Sequence, residues 1–165
     1  MMDGAGDVAD AGRESFQPVE ASYKAVLRAR MLVLWVPLTI GAFVLERSFA
    51  LPWPGLLFGL VVFLAIIAVV VAPQRIYARL GYRVGDRLLQ VVRGWAFHTD
   101  TVVPFVRVQH LDVTRGPLDK MFGTASLVIH TAGTHNSIVT VPGLAPDRAA
   151  EIRDIIREHV RTDFQ

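Results

Sequence analysis

Residues 55–72 read Gly-Leu-Leu-Phe-Gly-Leu-Val-Val-Phe-Leu-Ala-Ile-Ile-Ala-Val-Val-Val-Ala, without one charged side chain. An α-helix rises about 1.5 Å per residue, so this stretch would be roughly 27 Å long, close to the hydrocarbon thickness of a bilayer. A helix that is apolar on every side belongs in a membrane or in a large protein core, and a chain of 165 residues has too little other surface to bury one. Residues 55–72 are therefore predicted to span a membrane.

A second apolar stretch precedes this one and predicts a first span at about residues 30–49. The run from Met31 to Leu45 contains Pro37, which membrane helices tolerate, and ends at Glu46 beside a single arginine. The connection between the two spans is short, so the helices should be antiparallel neighbours. Together they form a predicted hairpin over residues 23–74, and the chain is predicted to be a multi-pass membrane protein.

Basic residues predict how the hairpin is oriented. Three cations precede the first span and three follow the second, at Lys24, Arg28, Arg30, Arg75, Arg79 and Arg83. The positive-inside rule then places both termini in the cytoplasm and the protein in the cell (inner) membrane. Residues 1–22 hold five acidic residues and one arginine among alanine and glycine, and are predicted to be a disordered tail.

Beyond the hairpin, residues 78–163 have the pattern of a small cytoplasmic β-rich domain. Turn-forming Gly85-Asp86 separates two strand-like runs, and further runs follow at 88–95, 102–114, 126–131 and 137–141. Residues 118–122 should form one helical turn. Pro146 then begins a helix in which Ala149, Ile152 and Ile156 recur at helical spacing and would pack on the sheet.

The expected fold class is α+β: a transmembrane hairpin followed by an antiparallel split barrel of the pleckstrin-homology (PH) type, capped by a C-terminal helix. Three stretches carry a closer resemblance: residues 104–118 (PFVRVQHLDVTRGPL), 122–133 (FGTASLVIHTAG) and 141–144 (VPGL). They resemble the bacterial PH-like membrane proteins of the YdbS type, over roughly residues 20–160. The resemblance implies this fold and this membrane topology, and it brings no catalytic residues.

Motifs for catalysis were sought and none was found. The chain has no cysteine, which excludes disulfides and thiolate metal sites. Serine and threonine residues lack the flanking glycines of a nucleophile elbow, and no glycine-rich phosphate loop is present. Two histidines and a carboxylate could be assembled into a metal site from His98, Asp100, His110, Asp112, His130 and His135, but exposed histidines on hairpins and edges are the simpler reading. We therefore expect no catalytic residues, no metal, no cofactor and no small-molecule substrate, and not an enzyme.

Charge and strand pattern suggest two kinds of partner besides the bilayer. Residues 73–165 carry twelve basic and nine acidic residues, too small an excess to indicate nucleic acid. Five arginines are candidates for contact with lipid or another anion: Arg83, Arg87, Arg93, Arg107 and Arg115. Alternatively they are structural, with Arg107 pairing to Asp112 or to a carbonyl. The last strand is short and nearly uncharged, and Ser137, Val139 and Val141 are candidates for strand-edge association.

The leading hypothesis is a non-enzymatic, membrane-anchored interaction or scaffold module that self-associates as a homo-oligomer or binds another membrane protein. Binding of anionic lipid headgroups is the alternative. A metal-dependent enzyme is the distant third possibility.

Overall fold

The computed structural model describes residues 16–49, 53–94, 99–132 and 138–163. Two antiparallel helices, α1 (Tyr23–Phe49) and α2 (Leu56–Ala78), pack against each other as the predicted hairpin. Both are long and apolar enough to cross a membrane, and most of their apolar side chains face outward. Helix α2 continues through Pro73, six residues beyond the predicted end of the span, so it carries the chain directly into the domain.

Glu46 joins the two helices at the end of the hairpin farthest from the domain. Its carboxylate oxygens accept hydrogen bonds from the backbone N–H groups of Gly55 and Phe58, the second at 2.9 Å. These N–H groups lie in the first turn of α2, where no helical carbonyl is available to them. Phe43 and Phe58 meet edge to face beside this cap, with ring centroids 5.6 Å apart.

The described residues form seven strands in two antiparallel sheets. The first sheet has the order β1 (Gln17–Pro18), β2 (Gly81–Val84), β3 (Leu88–Arg93) and β4 (Thr99–Pro104). The second contains β5 (Val108–Thr114), β6 (Ala125–Thr131) and β7 (Ile138–Leu144). A single turn of 3₁₀-helix, Phe105–Arg107, links the sheets, and a short helix, α3 (Pro117–Met121), links β5 to β6.

Helix α4 (Pro146–Asp163) closes the barrel as predicted. Ala149, Ile152 and Ile156 are buried in the same cluster as Leu89 and Val91 of β3. Two groups outside the helix hold its first turn in place, because the Arg148 guanidinium donates hydrogen bonds to Gln17 and to the Tyr82 hydroxyl. Within the helix, Arg148 also pairs with Glu151. The bonds to Glu151 and Tyr82 raise the pKa of Arg148, so it stays charged. The PH-like α+β fold expected from the sequence is confirmed.

Two local expectations differ from the structure. The run 102–114 was expected to be one strand, but it divides between the two sheets at Phe105, whose side chain is buried in the core. The tail was expected to extend to residue 22, whereas Gln17 and Pro18 pair with Tyr82 and Gly81. Burial of Val19 accounts for the order of this segment, since it brings an apolar side chain into the barrel. Residues 1–15 lie outside the described part of the chain.

Candidate functional site: the domain–anchor junction and the β7 edge

The first turns of α1 belong to the core of the domain. Tyr23, Val26 and Leu27 are buried in the same cluster as the strands and α4, although they continue directly into the apolar stretch of the hairpin. Their spacing of three and four residues places them on one face of the helix. The anchor and the domain therefore share one hydrophobic core, and no flexible linker separates them.

Gly143 provides the surface against which Tyr23 packs. A Cβ atom on Gly143 would lie 2.5 Å from Cγ of Tyr23, closer than nonbonded carbon atoms approach. The backbone of Gly143 also has a φ angle of +72°, which side-chain-bearing residues rarely adopt. Next to this contact, the N–H group of Glu20 donates a 2.8 Å hydrogen bond to the Gly143 carbonyl. This bond joins the N-terminal segment to β7 and closes one corner of the barrel.

Asp119 in α3 connects the same face of α1 to the domain one turn further along the helix, at Arg30. The carboxylate is buried, and it accepts hydrogen bonds from the Thr124 hydroxyl at 2.9 Å and from the Gly116 N–H at 3.1 Å. The guanidinium of Arg30 in α1 lies 3.7 Å from the same carboxylate. These partners satisfy a buried charge that would otherwise be costly, and they fix α3 beside α1.

Helix α2 is held to the N-terminal segment by Tyr77. The Tyr77 hydroxyl donates a 3.1 Å hydrogen bond to the Val19 carbonyl, and the Lys24 ammonium lies 4.1 Å from the centre of the Tyr77 ring. Lys24 belongs to a group of cations that surrounds the two helices where they enter the domain, and that we call the basic collar: Lys24, Arg28, Arg30, Arg75 and Arg79.

The outer edge of β7 has no neighbouring strand among the described residues, although the Glu20 bond covers its end at Gly143. Association through this edge stays a prediction. Val139 and Val141 do not face a partner with their side chains, because both are buried in the core. Ile138 is the side chain that this strand exposes, at 54%. Ser137 lies outside the described residues.

The match to known proteins covers both the hairpin and the domain. The model of the family described as "Bacterial PH domain" matches residues 29–160. The chain belongs to the bacterial PH domain family. The protein is also similar to the UPF0699 transmembrane protein YdbS of Bacillus subtilis (strain 168), with 32% identity over 118 residues, which is 69% of this chain and 72% of that relative. No solved structure gives a significant match. The resemblance expected from the sequence is thus confirmed.

The five arginines singled out from the sequence do not form one rim on this bacterial PH domain. Arg93 and Arg115 lie at the end where the helices join, since Val92 pairs with Gly81 and Arg115 donates to the Thr124 carbonyl. Arg87 and Arg107 lie at the opposite end, in the β2–β3 turn and in the 3₁₀ turn, and Arg83 lies between. The strands that separate the two ends are about 20 Å long for six residues, so one headgroup cannot contact both groups.

Of the candidate metal-ligating histidines, the described ones are His110, which is exposed, and His130, which is half-buried. His110 and His130 face each other across β5 and β6 with ring centroids 6.4 Å apart, and His130 Nε2 lies 3.4 Å from an Asp112 oxygen. Asp112 therefore contacts His130, and the Arg107–Asp112 pair suggested from the sequence is replaced by this one. The described residues hold no group of three histidines or carboxylates positioned for a metal ion. His98 and His135 lie outside the described residues.

Sequence reasoning missed the residues that build the junction. A buried helix face was signalled by the helical spacing of Tyr23, Val26 and Leu27. The neighbouring cations, however, indicated contact with a membrane surface. Asp119 and Gly143 gave no signal, because their partners lie far away in the sequence.

Proposed function

We propose that the protein is a non-enzymatic interaction module of the cell membrane, whose PH-like domain is held in one orientation on the cytoplasmic face and associates with further copies of itself. The shared core of anchor and domain is the observation that carries this proposal. A domain on a flexible tether would sample many orientations, whereas a domain whose core includes Tyr23, Val26 and Leu27 presents the same surface on every copy.

Strand pairing and charge together support the proposed topology. Strand β1 precedes the hairpin and β2 follows it, and the two pair with each other. Two helices that cross the bilayer between paired strands must do so in opposite directions, leaving both ends on one side. The basic collar lies on that side, which the positive-inside rule assigns to the cytoplasm. Trp53, an exposed aromatic residue in the connection, would anchor the opposite surface.

Self-association is supported by the β7 edge. Unpaired strand edges bind other strands through main-chain hydrogen bonds, and two copies of β7 running antiparallel would give a two-fold symmetric dimer. Confinement to a membrane with a common orientation raises the effective concentration of the copies. Weak pairing between β7 edges is therefore sufficient to populate dimers.

Cysteine crosslinking tests this proposal cleanly because the chain has no native cysteine. Single variants Ile138→Cys and Thr140→Cys, in native membranes treated with a short bis-maleimide, should give crosslinked dimers. Val102→Cys is the matched control, since Val102 is 51% exposed on β4 of the other sheet. Crosslinking of Val102→Cys to the same extent would indicate random collision, and failure of both β7 variants would refute pairing through this edge.

The second candidate function is contact with anionic lipid. The basic collar favours it, because clusters of arginine and lysine next to a membrane helix attract acidic headgroups. Of the five arginines proposed from the sequence, Arg93 and Arg115 are the two at a suitable end of the domain. Native mass spectrometry of the purified protein would separate the candidates: retained phosphatidylglycerol that is lost in an Arg93→Gln, Arg115→Gln variant supports lipid contact, and dimers without lipid support self-association.

A further inference from the structure

The tip of α3 exposes an apolar side chain that no described part of the domain covers. Met121 is 75% exposed, the largest exposure of any large apolar side chain in the described residues, and Lys120 beside it is also exposed. Leu118 and Phe122, on either side, pack against the core. The tip of α3, meaning Lys120 and Met121, is thus a rigid projection with one cation and one apolar group.

The position of this tip is fixed relative to the apolar part of the hairpin. Asp119, the residue before the tip, lies 3.7 Å from the guanidinium of Arg30, and Arg30 directly precedes the apolar run that begins at Met31. The hydrogen bonds of Asp119 to Thr124 and Gly116 leave α3 little freedom to move away. The polar layer of a bilayer extends roughly 5–7 Å beyond the hydrocarbon on each side, which is about one helical turn. The tip of α3 therefore lies at the depth of the lipid headgroups.

We infer that the tip of α3 inserts into the cytoplasmic leaflet and forms a third membrane contact besides the two helices. Met121 would lie at the boundary between headgroups and acyl chains, and the Lys120 ammonium would bind lipid phosphate. A flexible thioether side chain suits an irregular, mobile environment of this kind. The inference rests on the proposed spanning of the membrane by α1 and α2. Three contacts that do not lie on one line would fix the tilt of the domain as well as its height.

Another strongly exposed apolar side chain of the domain provides the comparison. Val106 is 63% exposed, nearly as much as Met121, but it lies in the 3₁₀ turn beside Arg107 at the far end of the sheets. Judged by exposure alone, Met121 and Val106 should be equally accessible to water. Insertion of the α3 tip predicts instead that Met121 contacts lipid and Val106 contacts water.

Spin labels distinguish the two cases in the full-length protein. Single variants Met121→Cys, Val106→Cys and Val33→Cys, the last within α1, would be nitroxide-labelled and reconstituted in nanodiscs of phosphatidylethanolamine and phosphatidylglycerol. Power-saturation electron paramagnetic resonance then compares collision with oxygen, which concentrates in lipid, and with a water-soluble nickel chelate. We expect the label at 121 to favour oxygen severalfold more than the label at 106, and the label at 33 to favour it most.

The accessibilities at 121, 106 and 33 separate failure of tip insertion from failure of the proposed topology. If the labels at 121 and 106 are equally accessible to the nickel chelate while the label at 33 is protected, insertion of the tip is refuted and the topology stands. If the label at 33 is also accessible, the proposed spanning of the membrane fails. The variant Lys120→Gln should reduce protection at 121 in discs with phosphatidylglycerol, and an unchanged accessibility would refute the role of the ammonium group.

Discussion

At the scale of single residues, the junction requires glycine at position 143 for two separate reasons. Gly143 has no room for a Cβ atom because of Tyr23, and its φ angle is positive. Gly123 has the second property alone: its φ angle is +68°, but a Cβ atom there would contact nothing within 4 Å. Gly123 is therefore a control for the steric effect of adding a Cβ atom at Gly143.

We predict that Gly143→Ala destabilises the protein by about 1–3 kcal/mol more than Gly123→Ala, which is the usual cost of overpacking a core. Thermal unfolding of both variants in the same detergent, followed by circular dichroism, measures the difference. The Tyr23→Ala substitution should make the added cost of Gly143→Ala disappear, since the clashing ring is gone. Equal losses for the two glycine variants would show that Tyr23 does not pack as described.

At the scale of elements, the hairpin is held at its outer end by a side chain of one helix that caps the other. Replacing Glu46 by alanine removes the acceptor of two N–H groups in the first turn of α2. Loss of a helix cap typically costs about 0.5–2 kcal/mol. We predict a loss of this size in thermal unfolding in nanodiscs for Glu46→Ala. Ser48→Ala, at the residue before the end of α1, removes only a bond within that helix and should have little effect. Thermal unfolding of Glu46→Ala at the temperature of the unmodified protein would contradict the capping role.

Elements whose formation follows from a local sequence pattern could be predicted. Elements that form only by pairing with residues far away in the sequence could not. The two helices and α4 follow from apolar runs and from the spacing of residues such as Ile152 and Ile156. The division of residues 102–114 was missed because strand alternation continues across it, although Pro104, which lacks an N–H group, marks the place. Strand β1 was missed because two residues carry no periodic signal and their partners, Tyr82 and Gly81, lie far away in the sequence.

The candidate site was the least predictable part of the chain for the same reason. Association at the edge of the last strand stays a prediction, and the side chains chosen to mark that edge, Val139 and Val141, are buried. Alternation along a strand does not say which face is inside when both faces carry apolar or small residues. The arginines were grouped by composition, and only the sheet topology separates Arg93 and Arg115 from the others.

At the scale of the whole molecule, the proposed topology predicts which positions face the outside of the cell. A cysteine at Ser48, near the connection between the helices, should react with a membrane-impermeant maleimide in intact cells. A cysteine at Asp86, exposed in the β2–β3 turn, should react only after permeabilisation. Labelling of Asp86→Cys in intact cells at the rate of Ser48→Cys would overturn the orientation of the domain. The chain without cysteine is the background measurement.

The pairing of β1 with β2 also sets an order for events during synthesis. Gln17 and Tyr82 are partners, but at about 5–20 residues per second the ribosome needs roughly 3–13 s to make the residues between them. In the proposed topology, the segment around Val19 has no sheet to join during that time, while the hairpin inserts into the bilayer. A nascent chain that inserted only one of the two helices would leave β1 and β2 on opposite sides of the membrane. Pairing of β1 with β2 is therefore possible only in chains whose two ends lie on the same side.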